Sequence, residues 1–413
     1  MRLRVAAGAL SDRNFRLLFI GQATSAFGDR LLPIALAFAV LDLTGSATDL
    51  GIVLAAAAVP MFLFVAVAGV WGDRLARHRV MLTSDLVRLL TQATAGTLLV
   101  THQAEVWHLV VLQALYGTAQ AFFMPAMTGL IPATTAPSRL QQANALMSLS
   151  RSTVGILGPA IGGTLVALAS PGVALLADAA TFGVSAISLA MLRVERKPRP
   201  VERGSFLAEV KEGLAVVRSR TWLSAMIVYF CFVNLTAWPA LFVLGPFEAK
   251  RALGGAAAWA TILTAGSIGS VAGGLLTLRL RVSRPLLVGE LVCLPVALPI
   301  ALVALHAPVP VIAVGMFVMS VGLTFGDALW HTTMQQKVPE EAISRVSAID
   351  WTSTLALSPL GFALIGVIAG FAGVRQTMFA AAALTALSTL AIIAVPSVRN
   401  LRTDPTALDV PPG

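Results

Sequence analysis

Residues 47–72 read ATDLGIVLAAAAVPMFLFVAVAGVWG, and residues 73–79 continue as DRLARHR. The first segment is almost entirely apolar and exceeds the roughly 20 residues that a helix needs to cross a bilayer. The second segment is short and basic, which is typical of a connection on the cytoplasmic side of a membrane. An apolar span followed by a basic connection predicts a membrane protein and gives this span a direction.

The same pattern recurs along the whole chain. Hydrophobic residues make up 57% of the sequence and charged residues only 12%, whereas a soluble domain typically carries about 25% charged residues. We therefore predict twelve membrane spans. They cover residues 15–41, 47–72, 80–100, 106–131, 140–169, 173–192, 222–247, 252–278, 285–305, 309–336, 342–369 and 374–395.

The basic residues indicate the orientation. Of 29 Lys and Arg residues, 23 lie on one set of alternate connections, and only Lys250, Arg251 and Arg375 lie on the other. By the positive-inside rule, both termini and the central connection are expected in the cytoplasm, with the chain in a bacterial inner (cytoplasmic) membrane. The net charge of +9 thus reflects topology and contact with membrane lipid. It does not predict a nucleic-acid partner, which would require basic residues gathered on one soluble face.

The long central connection divides the spans into two sets of six. We predict an N-terminal six-helix bundle (1–192), a cytoplasmic linker (193–221), a C-terminal six-helix bundle (222–395) and a cytoplasmic tail (396–413). The halves share a pattern of Pro, Arg and Pro, either by duplication or by chance: Pro132, Arg139 and Pro159, against Pro339, Arg345 and Pro359. Duplication is typical of transporters whose bundles move about a midplane site. The predicted fold class is an all-α membrane protein with twelve transmembrane helices in two bundles related by pseudo-twofold symmetry.

A charged motif follows the second span. One acid lies among several arginines at the membrane surface, where opposite charges a few ångström apart attract. This pattern predicts a cytoplasmic latch between bundles, and the alternative is a plain orientation signal with one acid. The motif resembles the loop signature of the major facilitator superfamily, with Ala76 replacing its second glycine. The predicted latch residues are Gly69, Asp73, Arg74, Arg77 and Arg79.

The fifth span carries a second motif, formed by Gly155, Gly158, Pro159, Gly162 and Gly163. Small residues let helix backbones approach closely, and proline removes a backbone donor and bends the helix. The alternative is an ordinary packing face. The motif resembles the signature of superfamily antiporters.

Further segments resemble a drug-exporter subgroup that contains macrolide efflux and enterobactin export proteins. The resemblance implies an exporter that uses protons, with no cofactor. Unlike other drug:proton antiporters, this chain has no charge in its fourth span, so coupling must use other residues. The segments are 22–29, 85–88, 122–126, 144–146 and 178–182.

Charged side chains inside spans cost about 2.5–3.5 kcal/mol each on insertion scales, which makes them functional candidates. We hypothesise that Asp29 carries the proton and that Arg88 or Arg151 approaches it in one conformation. The alternative is a static ion pair between helices. Asp85 is expected to pair with Arg88 near the cytoplasmic surface. The proton-coupling candidates are Asp29, Arg30, Arg88, Arg151 and Asp178.

Aromatic, sulfur-containing and acidic residues at cavity depth form the candidate substrate site. Adaptable apolar walls suit loosely specified, amphipathic ligands. We predict a monomeric secondary transporter that exports drug-like small molecules in exchange for protons. The alternatives are a siderophore or lipid exporter and, more remotely, a membrane-embedded enzyme, although no histidine or cysteine has a catalytic or metal-binding spacing. The substrate-site candidates are Phe27, Phe123, Met124, Trp238, Trp330, Asp327 and Asp350.

Overall fold

A computed structural model describes residues 8–72, 76–193, 206–280 and 282–402 of the chain. Over these residues the secondary structure is helical, with short turns between the helices. We number the membrane helices α1 to α12 in chain order. They are α1 (Arg13–Thr44), α2 (Ala47–Gly72), α3 (Arg77–Val100), α4 (Val106–Thr134), α5 (Leu140–Leu168), α6 (Pro171–Ala190), α7 (Thr221–Leu253), α8 (Gly255–Thr277), α9 (Pro285–Ala304), α10 (Val309–Lys337), α11 (Glu340–Ala372) and α12 (Val374–Ala394).

Glycine ends two of these helices in tight turns. Gly45 adopts a φ of 65° after α1, and its N–H donates to Leu41 O. Gly373 adopts a φ of 89° between α11 and α12, and its N–H donates to Ala369 O. Residues with a Cβ are strained at these angles, so glycine allows the chain to reverse within one or two residues.

Two spans of the C-terminal half, α7 and α9, change their helical winding near prolines. Helix α7 contains two π-helical turns, Ala240–Leu244 and Ala249–Leu253, next to Pro239 and Pro246. Helix α9 narrows to a 3₁₀ turn at Leu294–Val296. Proline cannot donate the helical hydrogen bond and clashes with the preceding turn, so the helix changes its winding at these points.

The chain forms two compact units. One contains the described part of residues 1–202 together with Ala249–Thr264, and the other contains the described part of 203–248 and 265–413. In the first unit, α6 packs most extensively on α1 and α3, and α2 packs on α4. In the second unit, α9 packs on α10 and α12, while α7 packs on α11 and α12. Helices one, three and six of each half therefore group together.

The central connection contains a helix that the sequence analysis treated as a loop. This linker helix spans Phe206–Arg218. It packs on α11, where Glu212 Oε2 lies 2.9 Å from Arg345 Nη1 and Val217 is buried. Apolar residues three or four apart on a short polar segment are the signal for such an amphipathic helix. The segment is too short and too charged to span a membrane, so the length and hydrophobicity of membrane spans could not predict it.

Ten of the described helices are long and apolar enough to cross a bilayer. Helices α1 and α3 have the required length but fall outside this set. Both carry charged residues within an otherwise apolar stretch, including Asp29 on α1 and Asp85 and Arg88 on α3. Polar side chains at this depth are costly unless they have partners. We therefore expect the charged side chains of α1 and α3 to have polar partners on neighbouring helices.

Candidate functional site

Arg88 is the centre of a buried polar cluster in the N-terminal unit. Its side chain is 0% exposed and forms an ion pair with Asp85, one turn earlier on α3. Its Nη1 donates to Gln120 Oε1 of α4 at 2.9 Å and lies 3.9 Å from Asp29 Oδ1 of α1. Three helices thus converge on one guanidinium.

Two aromatic rings enclose this guanidinium. Arg88 Cζ lies 4.0 Å from the ring centroid of Phe123 and 4.4 Å from that of Phe182. The faces of aromatic rings attract cations, and the attraction increases when water is excluded. The rings therefore stabilise a buried charge while leaving its N–H groups for the carboxylates. Phe123 was predicted to line a substrate cavity, but it is buried against Arg88, because the large ring fills the space beside the guanidinium.

Asp29 is the accessible acid of the cluster. Its side chain is 32% exposed, while those of Arg88 and Asp85 are 0% exposed. The Tyr116 hydroxyl of α4 donates to Asp29 Oδ1 at 2.8 Å. Asp29 thus combines a hydrogen bond from a tyrosine and a nearby arginine with partial exposure, so it is the acid of this cluster that the surroundings can reach.

Asp178 on α6 is the third acid of the cluster. It is fully buried, and Gln92 Nε2 donates to its Oδ2 at 2.9 Å. Its Oδ1 has no hydrogen-bond partner among the described residues. Position 28 has no room for a side chain, because a Cβ at Gly28 would lie 2.3 Å from Asp178 Oδ1 and 2.1 Å from Thr181 Oγ1. Only glycine lets α1 approach α6 this closely.

The cluster contains more carboxyl groups than cations. Asp29, Asp85 and Asp178 face the single guanidinium of Arg88 among the described charged groups that interact there. Burying unbalanced charge is costly, and a carboxyl group avoids this cost by taking up a proton. The arrangement can therefore bind protons without creating an excess of positive charge.

The other two predicted coupling residues lie outside the cluster. Arg30 and Arg151 are exposed and form no ion pair among the described residues. Arg30 follows Asp29 on the helix, so it points about 100° away from it, and its stem packs against Gly158 of α5. The structure thus brings Arg88, and not Arg151, next to Asp29. Asp85 pairs with Arg88 as predicted, and this pair is part of the same cluster.

The glycine motif of α5 forms close helix contacts at three positions. A Cβ at Gly158 would lie 2.3 Å from Arg30 Cβ, one at Gly162 would lie 3.2 Å from Leu31 Cα, and one at Gly163 would lie 2.0 Å from Ala260 Cβ. At Gly155 nothing lies within 4 Å. The motif therefore acts in packing, with α5 placed against the segment of α1 that follows Asp29.

The predicted latch is described only in part. Asp73 and Arg74 lie outside the described residues. Gly69 belongs to α2, and Arg77 and Arg79 form the first turn of α3. The pairing of acid and arginine in this motif therefore stays a prediction.

A second polar network, missed in the sequence analysis, lies at the start of α1. Asp12 Oδ2 accepts from Thr135 Oγ1 at 2.7 Å, and Asp12 Oδ1 accepts from Arg139 Nη1 at 2.8 Å. The hydrogen bond from Thr135, helped by Ala136 N–H and Arg139, holds the pKa of Asp12 below its usual value against the opposing effect of burial. The network fixes the start of α1 to the connection between α4 and α5.

Asp327 and Asp350, the two acids predicted for the substrate site, each have a partner within the C-terminal unit. Arg345 is not one of these partners, because it pairs with Glu212. The indole N–H of Trp330 donates to Asp350 Oδ2 at 3.2 Å. Asp327 is 70% exposed and lies 3.5 Å from His331 Nε2. Of Asp327 and Asp350, Asp327 is thus the one that a ligand can reach.

The remaining cavity candidates differ in exposure. Trp330 was predicted to line the cavity but is only 3% exposed, because it packs edge-on against Trp222 and Phe230. Met124 is 48% exposed. Phe27 and Trp238 are half-buried. Three of the seven candidates are therefore buried in packing or hydrogen bonding: Phe123, Trp330 and Asp350.

Helix α4 supplies partners that the sequence analysis passed over. Gln113, Tyr116 and Gln120 recur at three- and four-residue spacing and so share one helix face. These residues were not predicted because α4 has no charged residue. The signal in the sequence for their role is a stripe of polar residues along one face of an apolar helix.

The Major Facilitator Superfamily model matches residues 18–357. The chain belongs to the major facilitator superfamily. Its twelve helices in two six-helix bundles agree with the superfamily fold, and the protein is a multi-pass membrane transporter, not an enzyme.

Among similar curated proteins, the multidrug efflux pump Tap of Mycolicibacterium fortuitum is 28% identical over 404 residues. The match covers 93% of this chain and 96% of the relative. Macrolide efflux protein A of Streptococcus pyogenes is 21% identical over 370 residues, covering 88% of this chain and 91% of the relative. The resemblance to drug-efflux members of the superfamily is thus confirmed.

Solved superfamily structures show the same fold. The nucleoside transporter NupG superimposes with a TM-score of 0.74 at 11% identity, covering 92% of this chain and 98% of that one. The peptide transporter POT in complex with sulfate gives a TM-score of 0.75 at 11% identity, covering 98% and 100%. At this identity the likeness concerns the fold alone.

Proposed function

We propose that this superfamily member exports amphipathic, drug-like molecules from the cell in exchange for protons, by alternating access. The names of the relatives support export of drugs, since they include a multidrug efflux pump and a macrolide efflux protein. The observation that carries the proton part is the excess of carboxyl groups over cations around Arg88, with Asp29 the accessible one.

In this proposal Asp29 exchanges the proton. When Asp29 is ionised, Arg88 interacts with both Asp29 and Asp85, which draws α1 and α3 together. When Asp29 is protonated, the guanidinium relaxes towards Asp85, and α1 is released. Binding of a proton to Asp29 thus weakens the attraction between α1 and α3. Alternating access requires such a change, because a proton can shift the conformational equilibrium only by favouring one state over the other.

Substrate recognition would use few polar groups. Asp327 offers an exposed carboxylate, which suits the cationic group of an amphipathic drug. Met124, Phe27 and Trp238 offer adaptable or flat apolar surface at partly exposed positions. We further propose that the protein acts as a monomer in a bacterial cytoplasmic membrane with both termini in the cytoplasm.

The test is dye accumulation in energised cells at equal expression of each variant. Wild-type cells should hold less of an amphipathic fluorescent dye than cells with an empty vector, and a protonophore should remove the difference. Asp29→Asn should behave like the empty vector. Arg151→Gln is the matched control, since Arg151 is exposed and outside the cluster, and it should export like the wild type.

Two outcomes would contradict the proposal. Export that persists in Asp29→Asn at the wild-type rate would move proton exchange to another residue. Absence of dye export in the wild type would favour an exporter of narrow specificity, such as one for siderophores or lipids.

A further inference from the structure

The C-terminal unit contains a second buried polar group on the helices that correspond to α1, α3 and α6. Helices α7, α9 and α12 pack together in this unit. They carry Tyr229, Glu290 and Thr389, respectively, and all three side chains are buried. Each half of the transporter therefore places a buried acid on its third helix: Asp85 on α3 and Glu290 on α9.

Unlike Asp85, Glu290 has no cation beside it in the described part of the chain. Glu290 is 5% exposed and lies beside the Tyr229 hydroxyl, which is 3.0 Å from Thr389 Oγ1. Its Oε2 is buried and has no hydrogen-bond partner among the described residues. No ion pair of Glu290 occurs in the described part of the chain.

Glu290 is too deeply buried to admit an organic cation. A Cβ at Gly326 of α10 would lie 2.7 Å from Cys293 Sγ, and one at Gly322 would lie 1.9 Å from Val292 O. These glycines allow α10 to press against α9 in the turn after Glu290, which closes the site further. The ligand that fits this site is a proton.

The titratable and charged groups around Glu290 are few. Tyr229 faces it from α7, Cys293 lies one turn along α9, and Asp327 faces Cys293 from α10. On α12 and the terminal turn, Arg375 and Arg399 are exposed. Arg284, the N-cap of α9, precedes Glu290 by six residues, or about 9 Å of helix. A carboxyl group with this apolar, cation-free environment favours its neutral form.

We propose that Glu290 is a second proton-binding site of this transporter, located in the C-terminal unit and independent of the Asp29 cluster. The carboxyl group is a neutral acid while α9 is packed against α7 and α12 as described. When these helices separate, water reaches Glu290 and accepts the proton, which leaves a carboxylate next to Tyr229. The site thus links proton release to the packing of α9 against α7 and α12.

The experiment is infrared spectroscopy of the purified full chain in proteoliposomes, titrated across the neutral pH range. A neutral carboxyl group has a carbonyl band that is separate from the bands of carboxylates. The wild type should show such a band at neutral pH, and the difference spectrum between wild type and Glu290→Gln should show the loss of one component of it. Glu248→Gln is the matched control, because Glu248 is also buried in this unit but contacts His306 at 2.6 Å. It should keep the band.

Two further variants complete the test. Tyr229→Phe keeps the acid and removes its hydroxyl neighbour, so the band should remain and shift in frequency. Asp29→Asn should keep the Glu290 band even if export is lost, which separates this proposal from the proposed function. An unchanged spectrum in Glu290→Gln would overturn the proposal, as would a Glu290 signal that is carboxylate throughout the neutral range. If Glu290→Gln does not fold, absence of any frequency shift in Tyr229→Phe overturns it.

Discussion

Arg88 is stabilised by several interactions at the same time. The guanidinium is removed from water, which is costly for a charge. The cost is offset by the ion pair with Asp85, the hydrogen bond to Gln120 and the two aromatic faces. Asp29, at 3.9 Å, is the weaker partner. A charge held mainly by fixed partners, with one partner that can change protonation, is suited to respond to that change.

Replacing Arg88 should therefore affect both stability and transport. Arg88→Gln leaves Asp85 buried without its cation, and removal of one member of a buried ion pair costs about 3–5 kcal/mol. We expect a clear loss of thermal stability in detergent and loss of export. Arg151→Gln, an exposed position, should melt within a degree or two of the wild type. Equal melting of Arg88→Gln and Arg151→Gln would contradict the central position of Arg88.

At the residue scale, sequence alone identified the charges and the pairing of Asp85 with Arg88, but not which arginine lies next to Asp29. Asp29, Arg88 and Asp178 stand out because ionisable residues are rare in apolar spans. The choice between Arg88 and Arg151 depends on how helices are rotated against one another, and spacing along the chain gives no information about this. Gly28 is a similar case, since its role follows only from the approach of Asp178 and Thr181.

At the scale of single elements, the glycine motif of α5 contains positions that differ in their contribution to helix packing. Gly158 faces the stem of Arg30 and has no room for a side chain, whereas Gly155 faces open space. The obstacle at Gly158 is Arg30 Cβ, which is close to the backbone and cannot swing away. The two glycines therefore form a matched pair three residues apart on one helix.

Alanine at these two positions should have opposite effects. Gly158→Ala forces α1 and α5 apart, and overpacking of this kind costs about 1–3 kcal/mol. Gly155→Ala should be neutral or stabilise by up to about 1 kcal/mol, because alanine is the better helix former. Thermal unfolding in detergent measures both. The assignment of Gly158 as the packing position is wrong if the two variants melt alike.

The start of α1 gives a prediction for pH. The folded-state pKa of Asp12 is lowered, chiefly by the hydrogen bond from Thr135. Its contribution is therefore present above the ordinary carboxyl pKa of about 3.9 and is lost as pH falls through the lower folded value. We expect Asp12→Asn to be less stable than the wild type at neutral pH by under about 1 kcal/mol, since this network is partly exposed.

Melting temperatures across the acid range test this expectation. The difference between wild type and Asp12→Asn should shrink as the pH falls below the ordinary carboxyl value. A difference that stays constant with pH would show that the charge of Asp12 is not what stabilises the connection.

Elements were predicted unequally well from sequence. Long apolar runs and basic connections gave the spans, because the bilayer imposes one strong constraint on length and polarity. The linker helix Phe206–Arg218 was missed, because a short amphipathic helix satisfies no such constraint and gains its stability from packing on α11. The interruptions of α7 and α9 coincide with prolines that the sequence displays.

At the scale of the whole molecule, the two halves use the same helices for different purposes. The first, third and sixth helices of the N-terminal half surround Arg88 with acids, while those of the C-terminal half surround Glu290 with a tyrosine and a threonine. We propose that Asp29 exchanges a proton beside the charged Arg88 in the first cluster, and that Glu290 is a neutral acid in the second.

The central claim is that drug movement and proton movement are coupled through Asp29, and proton flux in proteoliposomes tests it most directly. A gradient of an amphipathic drug is imposed across liposomes containing the purified protein, and the internal pH is followed with a trapped dye. The wild type and Arg151→Gln should move protons against the direction of drug flow, and Asp29→Asn should not. Drug movement without proton movement in the wild type, or proton movement at the wild-type rate in Asp29→Asn, would contradict the claim.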